Sequence, residues 1–133
     1  MLVGPNGQNI ILMSDAGGNF SVHNVTLTFD DDADQSLPNK GKIRSGNFKP
    51  THYRGELEPF PVPAPKPSAA TKLSTFKGTD PNGTWKLFIF DRYHGGGHHH
   101  HKFSKGSISC GWALTISTDG CKKSKHRPTI SWD

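Results

Sequence analysis

Gly-Thr-Asp-Pro-Asn-Gly-Thr-Trp-Lys-Leu-Phe-Ile-Phe-Asp at positions 78–91 and Gly-Ser-Ile-Ser-Cys-Gly-Trp-Ala-Leu-Thr-Ile-Ser-Thr at positions 106–118 decide the fold of this chain. Each stretch contains the pattern Trp-x-Leu-x-Ile. Because successive side chains of a strand point to opposite faces, the three apolar residues of each pattern share one face. The pattern predicts two neighbouring strands that wall one buried core. Their core-facing residues are Trp85, Leu87, Ile89, Trp112, Leu114 and Ile116.

Composition is typical of a single all-β domain. The chain has 133 residues, 32% of them hydrophobic, which is enough for a single core and one domain. Its 15 glycines and 10 prolines, with no long run of period 3.6, favour many short strands joined by turns. We expect one β domain over residues 1–119, followed by a basic carboxyl-terminal tail over residues 120–133.

Shorter motifs occur in a recognisable order along the chain. Positions 2–18 contain a Gly-Pro-x-Gly turn, a strand-like apolar run and a glycine loop, and segments at 25–32, 46–50 and 76–78 follow. In this order, together with the two Trp-x-Leu-x-Ile stretches, the chain resembles the P domain, also called the Homo B domain. That β-sandwich follows the catalytic domain in subtilisin-like proprotein convertases and in many secreted bacterial proteins.

The resemblance implies a jelly-roll-like, galactose-binding-like antiparallel β-sandwich. P domains usually begin with further strands before the Gly-Pro-x-Gly turn, whereas only Leu2 and Val3 precede it here after Met1, so we expect a sandwich lacking its first strands. We expect the open edge at Ile10–Met13, where it would favour self-association. The resemblance also implies a secreted or cell-surface location, although the segment after Met1 does not have the pattern of a signal peptide.

The resemblance implies an accessory role beside a subtilisin-like serine endopeptidase, in which the module packs on the catalytic domain and supports its folding and stability. The chain has no Gly-x-Ser-x-Gly elbow and nothing like the Gly-Thr-Ser-x-Ala segment around a subtilisin-type nucleophile. We therefore expect no catalytic residues and no enzymatic activity in this chain. The expected partner is the subtilisin-like catalytic domain or an adjacent module, and Phe88 and Phe90, opposite Trp85 on their strand, could form the docking face.

A second function class stays open. Trp85 and Trp112 could stack on sugar rings, as aromatics do in carbohydrate-binding β-sandwiches, although their alternation with Leu and Ile favours the core. The alternative is a free-standing module that binds carbohydrate or a cell surface. A catalytic domain encoded beside this segment would favour the accessory role, and glycan binding by the isolated chain would favour the alternative.

Metal binding is expected to be weak. The loop after the first strand reads Asp91-Arg-Tyr-His-Gly-Gly-Gly-His-His-His-His, with imidazoles where the P-domain resemblance implies acidic oxygen ligands. Calcium takes six to eight oxygens, so the loop at Asp91 disfavours calcium. Imidazole favours zinc or nickel, with His94, His98 and His100 as candidate ligands beside Asp91. The alternative is a low-complexity insertion or a purification tag in a tolerant loop.

The distribution of charge and the two cysteines give little information about function. Residues 1–60 carry seven acids and five Lys or Arg, whereas residues 61–133 carry four acids and eleven. A basic half could face nucleic acid, but the cations cluster only in the tail, so we expect a solvated tail and no nucleic-acid partner.

A strand between Cys110 and Cys121 would separate the two cysteines by roughly 20 Å, which argues against a disulfide. No stretch approaches the ~20 apolar residues of a membrane span.

Three further segments have local predictions. Gly4–Gly7 should turn a hairpin, and the run Ile10–Met13 should be a buried strand. A β-bulge near His23 or Asn24 should absorb a change of parity between Phe20 and Val25. The segment 59–67, with proline at every second position, should be polyproline II: either a surface crossover between two sheets or a ligand for an SH3-like groove.

Overall fold

The computed structural model describes residues 1–91, 106–118 and 129–132. These residues form short strands and one 3₁₀ turn, with no α-helix in the described ranges. The strands are β1 (Leu2–Val3), β2 (Asn9–Ile10), β3 (Met13–Ser14), β4 (Leu27–Phe29), β5 (Gly46–Phe48), β6 (Thr51–His52), β7 (Lys86–Leu87), β8 (Trp112–Thr115) and β9 (Thr129–Trp132), and the 3₁₀ turn is Leu73–Phe76.

The strands pair in three small open sheets. The first has the order β2-β1-β7, the second is β3-β6, and the third has the order β5-β4-β9-β8. Most pairs are antiparallel, but β3 with β6 and β4 with β5 are parallel. The all-β prediction is confirmed at this level. The expectation of antiparallel pairing throughout is wrong, because long connections allow β5 and β6 to return in the direction of β4 and β3.

The Gly-Pro-Asn-Gly turn forms the predicted hairpin. The Gly7 amide donates to the Gly4 carbonyl at 3.0 Å, and Gly7 takes a φ of +83°, a conformation that favours glycine. The turn sets Leu2 opposite Ile10 and Val3 opposite Asn9. Chain direction therefore reverses at the predicted position.

The apolar run after this hairpin is not the single buried strand that was predicted. Ile10, Ile11 and Leu12 are buried, but Met13 is 45% exposed and belongs to a different sheet. The chain changes sheets at Ile11–Leu12, where the Leu12 carbonyl accepts the Thr51 amide at 2.9 Å. Burial of the first three residues is confirmed, whereas the continuous strand is wrong because the backbone leaves one ladder to enter another.

A main hydrophobic core contains residues from all three described ranges of the chain. Its buried members come from the hairpin, the middle strands and the loop between β4 and β5, the 3₁₀ turn and β9. The buried set is Leu2, Ile10, Leu12, Phe29, Leu37, Ile43, Phe48, Leu73, Phe76 and Ile130. Trp85, Leu87 and Leu114 pack against it as half-buried side chains.

The two Trp-x-Leu-x-Ile stretches contribute unequally to this core. Trp85 and Leu87 pack against it as predicted, but Ile89 lies beyond the end of β7 and is 63% exposed. Of the second stretch only Leu114 reaches the core, whereas Trp112 and Ile116 are each 37% exposed. The prediction is wrong for these three residues. Ile89 and Ile116 lie beyond the ends of β7 and β8, and Trp112, although paired in β8, does not pack against the core.

The carboxyl-terminal region contains an element that the sequence analysis assigned to a solvated tail. Residues Thr129–Trp132 form β9, which pairs antiparallel with both β4 and β8, and Ile130 is fully buried. The prediction of a loose tail is therefore wrong for these four residues. Thr-Ile-Ser-Trp is an alternating, β-favouring sequence, and an interior position between two strands outweighs its nearness to the basic run.

Two local predictions around the middle sheets have different outcomes. The segment at Phe20–Asn24 forms no strand, so the expected β-bulge is absent from it; Asn24 takes a φ of +51° in an exposed loop instead. The proline segment adds no strand and connects β6 with β7 as a crossover. Its end is fixed to the hairpin because the Asn9 side chain bonds the Lys66 carbonyl at 3.2 Å and the Ser68 amide at 2.8 Å.

The unequal burial of the two tryptophans gives a direct stability test. Trp85 meets the Phe76 ring edge-on with centroids 4.9 Å apart, and its Nε1–H donates to the Pro81 carbonyl at 3.0 Å. We expect Trp85→Ala to lower the free energy of unfolding by about 3 kcal/mol and Trp112→Ala by only about 1 kcal/mol. Urea unfolding followed by circular dichroism measures both. Equal losses, or a larger loss for Trp112→Ala, would contradict this packing.

Candidate functional site

An apolar groove lies beside the amino-terminal strand. Its volume is about 520 Å³, within the range of ligand and peptide sites. Large apolar side chains line it, and several are unusually exposed for their type. We call this surface the apolar groove; its exposed members are Met13, Val22, Ile89, Phe90 and Ile108, and its inner members include Met1, Leu12, Phe29, Phe60 and Phe88.

Backbone pairing places one wall of the groove. The Met1 nitrogen donates to the Phe88 carbonyl at 2.8 Å, and the Phe88 amide donates back to the Met1 carbonyl at 2.9 Å. These reciprocal bonds extend the β1–β7 ladder by one residue pair beyond Leu2 and Leu87. Ile89 and Phe90 therefore leave the sheet directly at the groove.

A second apolar cluster supports the same wall. Met1, Val3 and Ile11 are buried in it, and the side chains of Leu57, Phe60, Ala64 and Phe88 pack around them. The Phe60 and Phe90 rings lie 6.2 Å apart at a tilt of 51°, so the proline crossover covers part of Phe90. Phe88 thus packs on the face opposite Trp85 and Leu87. The segment is covered on both sides at Phe88, and the predicted second apolar face is present.

Burial changes the acid–base behaviour of the terminal amine. The Met1 nitrogen lies in the apolar second cluster, and desolvation lowers its pKa from 8.0 to about 5. At neutral pH the folded chain therefore holds this nitrogen largely as an uncharged amine. It acts as a hydrogen-bond donor to Phe88 rather than as a surface cation.

The chemistry of the lining suits binding and offers no acid–base pair. The polar groups among its described residues are the side chains of Asn24, Thr26, Ser107, Ser109 and Cys110, besides the Met1 amine. No histidine or carboxylate belongs to that lining, so no described side chain there could serve as the base for a serine or cysteine nucleophile. The groove can bury apolar groups and offer a few hydrogen bonds.

The predicted metal ligands are not brought together in the described part of the chain. His94, His98 and His100 lie outside the described residues, as does Cys121. Asp91 is exposed, and Cys110 is an exposed free thiol. Within residues 1–91, 106–118 and 129–132, no three His, Cys, Asp or Glu side chains form a cluster that could hold a metal ion. Zinc or nickel binding at the His-rich loop stays a prediction.

The acidic run at Asp30–Asp34 serves the fold. Both carboxylate oxygens of Asp31 accept backbone amides of the 3₁₀ turn, from Leu73 at 2.7 Å and from Ser74 at 2.8 Å. Asp30 accepts the Asp32 amide at 2.9 Å and closes a tight turn. These bonds satisfy turn amides that would otherwise lack acceptors. The local sequence does not indicate this role, because the 3₁₀ turn begins 42 residues further along the chain.

Sequence reasoning found part of the groove. It predicted an apolar face at Phe88 and Phe90, and both residues line the groove. It missed the contribution of Met1, Met13 and Ile108, which come from distant positions and converge only in the folded chain. Their apolar character was visible, but nothing in the local pattern distinguished them from core residues.

Comparison of the chain with protein-family models, with curated proteins and with solved structures finds no match. The resemblance to P domains therefore rests on the motifs of this sequence and stays a prediction. A search of the described residues for a helix long and apolar enough to cross a bilayer finds none.

The role of Asp31 can be tested against a neighbour. Asp31→Ala removes both acceptors of the 3₁₀ turn, so we expect it to lower the free energy of unfolding by about 1 to 2 kcal/mol. Asp34→Ala removes an exposed carboxylate of the same run and should change the free energy of unfolding by less than about 0.5 kcal/mol. Chemical denaturation of the two variants gives the comparison. Similar effects from both substitutions would show that local charge, rather than capping, matters.

The buried amine predicts a pH-dependent stability. Because its folded pKa of about 5 lies below the unfolded value of 8.0, the folded state binds fewer protons between these values. The stability associated with the neutral amine is fully present above pH 8, falls as the pH decreases, and is lost by pH 5. The full loss is about 4 kcal/mol.

An acetylated chain isolates this contribution, since it shares every other titrating group. The stability difference between the acetylated chain and the chain with a free Met1 amine should widen as the pH falls from 8 to 5. Urea unfolding at half-unit pH intervals measures this difference. Parallel stability curves would show that the amine is solvated in the folded chain.

Proposed function

We propose that this chain is a non-catalytic accessory module of the P-domain type, with a jelly-roll-like β-sandwich as its complete fold, that serves a subtilisin-like serine endopeptidase. The observation that carries the proposal is the convergence of exposed apolar side chains on one groove. A contiguous apolar surface of this kind is typical of a docking site. The P-domain motifs supply the class of partner, a subtilisin-like catalytic domain, and a secreted or cell-surface location.

The energetics favour a partner held close to the module. Fully burying a large apolar side chain contributes about 1.5 to 3 kcal/mol, so completing the burial of the half-exposed groove residues adds roughly 1 kcal/mol for each. Association of separate molecules costs at least about 4 kcal/mol in lost translational and rotational freedom. The groove alone therefore supports weak binding between separate chains and much stronger binding when the partner is tethered.

The role that follows is stabilisation of the partner. A catalytic domain that buries its own apolar surface against the groove is stabilised by the free energy of that contact. The same exposed surface would let isolated modules associate with one another. This accounts for the expected self-association without requiring a sheet edge at Ile10–Met13, where burial is nearly complete up to Leu12.

Co-expression tests the proposal with matched variants. A subtilisin-like catalytic domain encoded in the same genome is produced with the wild-type chain, with Phe90→Ser in the groove, or with Val62→Ser. Val62 is 92% exposed and does not line the groove, so it controls for loss of an exposed apolar side chain. The wild-type and Val62→Ser chains should raise the soluble yield and melting temperature of the catalytic domain equally, and Phe90→Ser should abolish most of the gain.

The same preparations report on catalysis. The purified chain alone should hydrolyse neither casein nor dibasic fluorogenic peptides. Turnover that co-purifies with the chain and stops when one of its serines is labelled by a phosphonate would overturn the accessory role, as would a catalytic domain indifferent to the groove variant.

One observation favours the alternative function, a free-standing module that binds carbohydrate or a cell surface. Trp112 is 37% exposed on β8, the outer strand of its sheet within the described ranges, although its pattern predicted a core position. An exposed tryptophan offers a flat apolar face to a sugar ring. Glycan binding by the isolated chain that is lost in Trp112→Ala and retained in Phe90→Ser would support this second function.

A further inference from the structure

We propose that three exposed cations, Lys40, Lys42 and Arg44, form a basic ridge that binds a sulfated polysaccharide. This binding site goes beyond the proposed function, because none of the three residues lines the apolar groove. The proposed function contributes only the secreted or cell-surface location, where such polymers occur. Exposure, backbone anchoring and the placement of the acidic residues support the site itself.

Exposure alternates along the segment that carries the basic ridge. Lys42 and Arg44 are exposed on either side of Ile43, which is 4% exposed and belongs to the main core. Lys40 is exposed two residues earlier. Because Cα atoms two residues apart are separated by at most about 7 Å, the whole ridge spans at most about 14 Å. Three positive charges are therefore concentrated on a short stretch of surface.

Two glycines hold the first end of this segment. The Gly17 amide donates to the Pro38 carbonyl at 2.7 Å, and the Gly18 amide donates to the Asn39 carbonyl at 3.1 Å. Gly18 has a φ of +59°, and a Cβ atom there would lie 2.8 Å from the Lys40 carbonyl oxygen. A side chain at this position would collide with the backbone of the ridge, so the close approach requires glycine.

The residue before β4 holds the other end. The Thr26 amide donates to the Ser45 Oγ at 3.0 Å, and the Gly46 amide, where β5 begins, donates to the Thr26 carbonyl at 3.0 Å. With both ends bonded and Ile43 in the core, the backbone of the ridge is fixed in the free chain. A surface that is already ordered loses less conformational entropy when it binds a partner.

The ridge cations have no carboxylate partner in the part of the chain that the structure describes. Asp15, two residues before Gly17, pairs with Arg54 at 3.2 Å instead. Of the eleven acidic residues, only Asp119 and Asp133 lie outside the described ranges. The positive charge of the ridge is therefore available to an external anion.

Strand direction separates the ridge from the acidic run at 30–34. The ridge precedes β5 and the acidic run follows β4, and these two strands are parallel, so the two groups lie at opposite ends of the pair. The Asp30 amide confirms this end by donating to the Phe48 carbonyl at 2.9 Å. Three paired residues span about 10 Å, which is about one Debye length at physiological ionic strength. The acidic run therefore weakens the field of the ridge only slightly.

The composition of the segment indicates the class of anion. Among residues 39–45 the one apolar side chain is Ile43, which is buried, so a partner is recognised by charge and hydrogen bonds. Single-stranded nucleic acids gain affinity from aromatic stacking, and this segment has no aromatic residue. A short acidic peptide gains little from exposed ion pairs. A sulfated polysaccharide is a dense linear polyanion, whose bound counterions are released on contact with cations.

Two triple variants of the full chain test the ridge. The ridge variant carries Lys40→Gln, Lys42→Gln and Arg44→Gln. The control variant removes three exposed cations outside the ridge and so has the same net charge of +2, three below the +5 of the chain. Its substitutions are Lys66→Gln, Lys72→Gln and Lys77→Gln. Thermal unfolding verifies that both variants are folded.

Fluorescence anisotropy measures binding of a labelled heparin dodecasaccharide at several salt concentrations. The measurement is made at pH 8, above the ordinary range of histidine titration. The control variant should bind within about threefold of the unmodified chain, and the ridge variant should bind at least about tenfold more weakly. Since each cation contributes about 0.7 to 0.9 to the salt dependence of binding to a linear polyanion, the slope of log Kd against log salt should fall by about 2 in the ridge variant.

Equal weakening in the two variants would overturn the proposal, because net charge alone would then explain the binding. A DNA duplex that binds through the ridge as tightly as the dodecasaccharide would also overturn it. A third contrary outcome is that the ridge variant loses only self-association, measured by size exclusion at low salt, which would assign the ridge to the acidic run of a second copy.

The outcome is separable from the fate of the proposed function. The binding assay contains no protease, and Phe90→Ser and Trp112→Ala should both bind the dodecasaccharide as the unmodified chain does. Loss of binding in either variant would place the polysaccharide outside the ridge and remove this inference. A catalytic domain that is indifferent to the groove in co-expression would leave the result at the ridge unchanged.

Discussion

The structure depends most on the pairing of β1 with both β2 and β7. Leu2 is fully buried at the centre of this three-stranded sheet, opposite Ile10 on one side and Leu87 on the other. The Gly4–Gly7 turn makes the first pairing local, whereas the second joins residues more than 80 positions apart. Backbone bonding of such distant segments brings the amino-terminal hairpin and the Trp85 stretch into one core, and it simultaneously creates the wall of the apolar groove.

Polar contacts serve this architecture mainly by fixing long connections. Asn9, itself buried in β2, holds the end of the proline crossover through its side chain, and Asp31 binds the amides of the 3₁₀ turn. Each contact joins segments that are more than 40 residues apart along the chain. Since buried backbone groups need partners, these side chains decide which loop conformations accompany a closed core.

The groove forms where the segment 85–90 has apolar side chains on both of its faces. Trp85 and Leu87 pack into the main core, whereas Phe88 packs into the second cluster with Met1 and Phe90 is only partly covered by Phe60. A strand with apolar residues on both faces needs cover on both sides. The described residues supply that cover incompletely, so Phe90 stays 43% exposed in the groove.

The sequence by itself determined the all-β class, the hairpin turn, the burial of Ile10–Leu12 and the second apolar face at Phe88 and Phe90, because these follow from turn chemistry and two-residue periodicity. Only the tertiary structure decided that Trp112 and Ile89 are exposed, that β9 belongs to a sheet, that Asp31 caps a distant turn and that Met1 lines a groove. Each of these depends on where strands end and which segments meet. Strand ends and the meeting of segments are set by pairing between distant parts of the chain and by how far the hydrophobic core extends, and the local pattern of residues encodes neither.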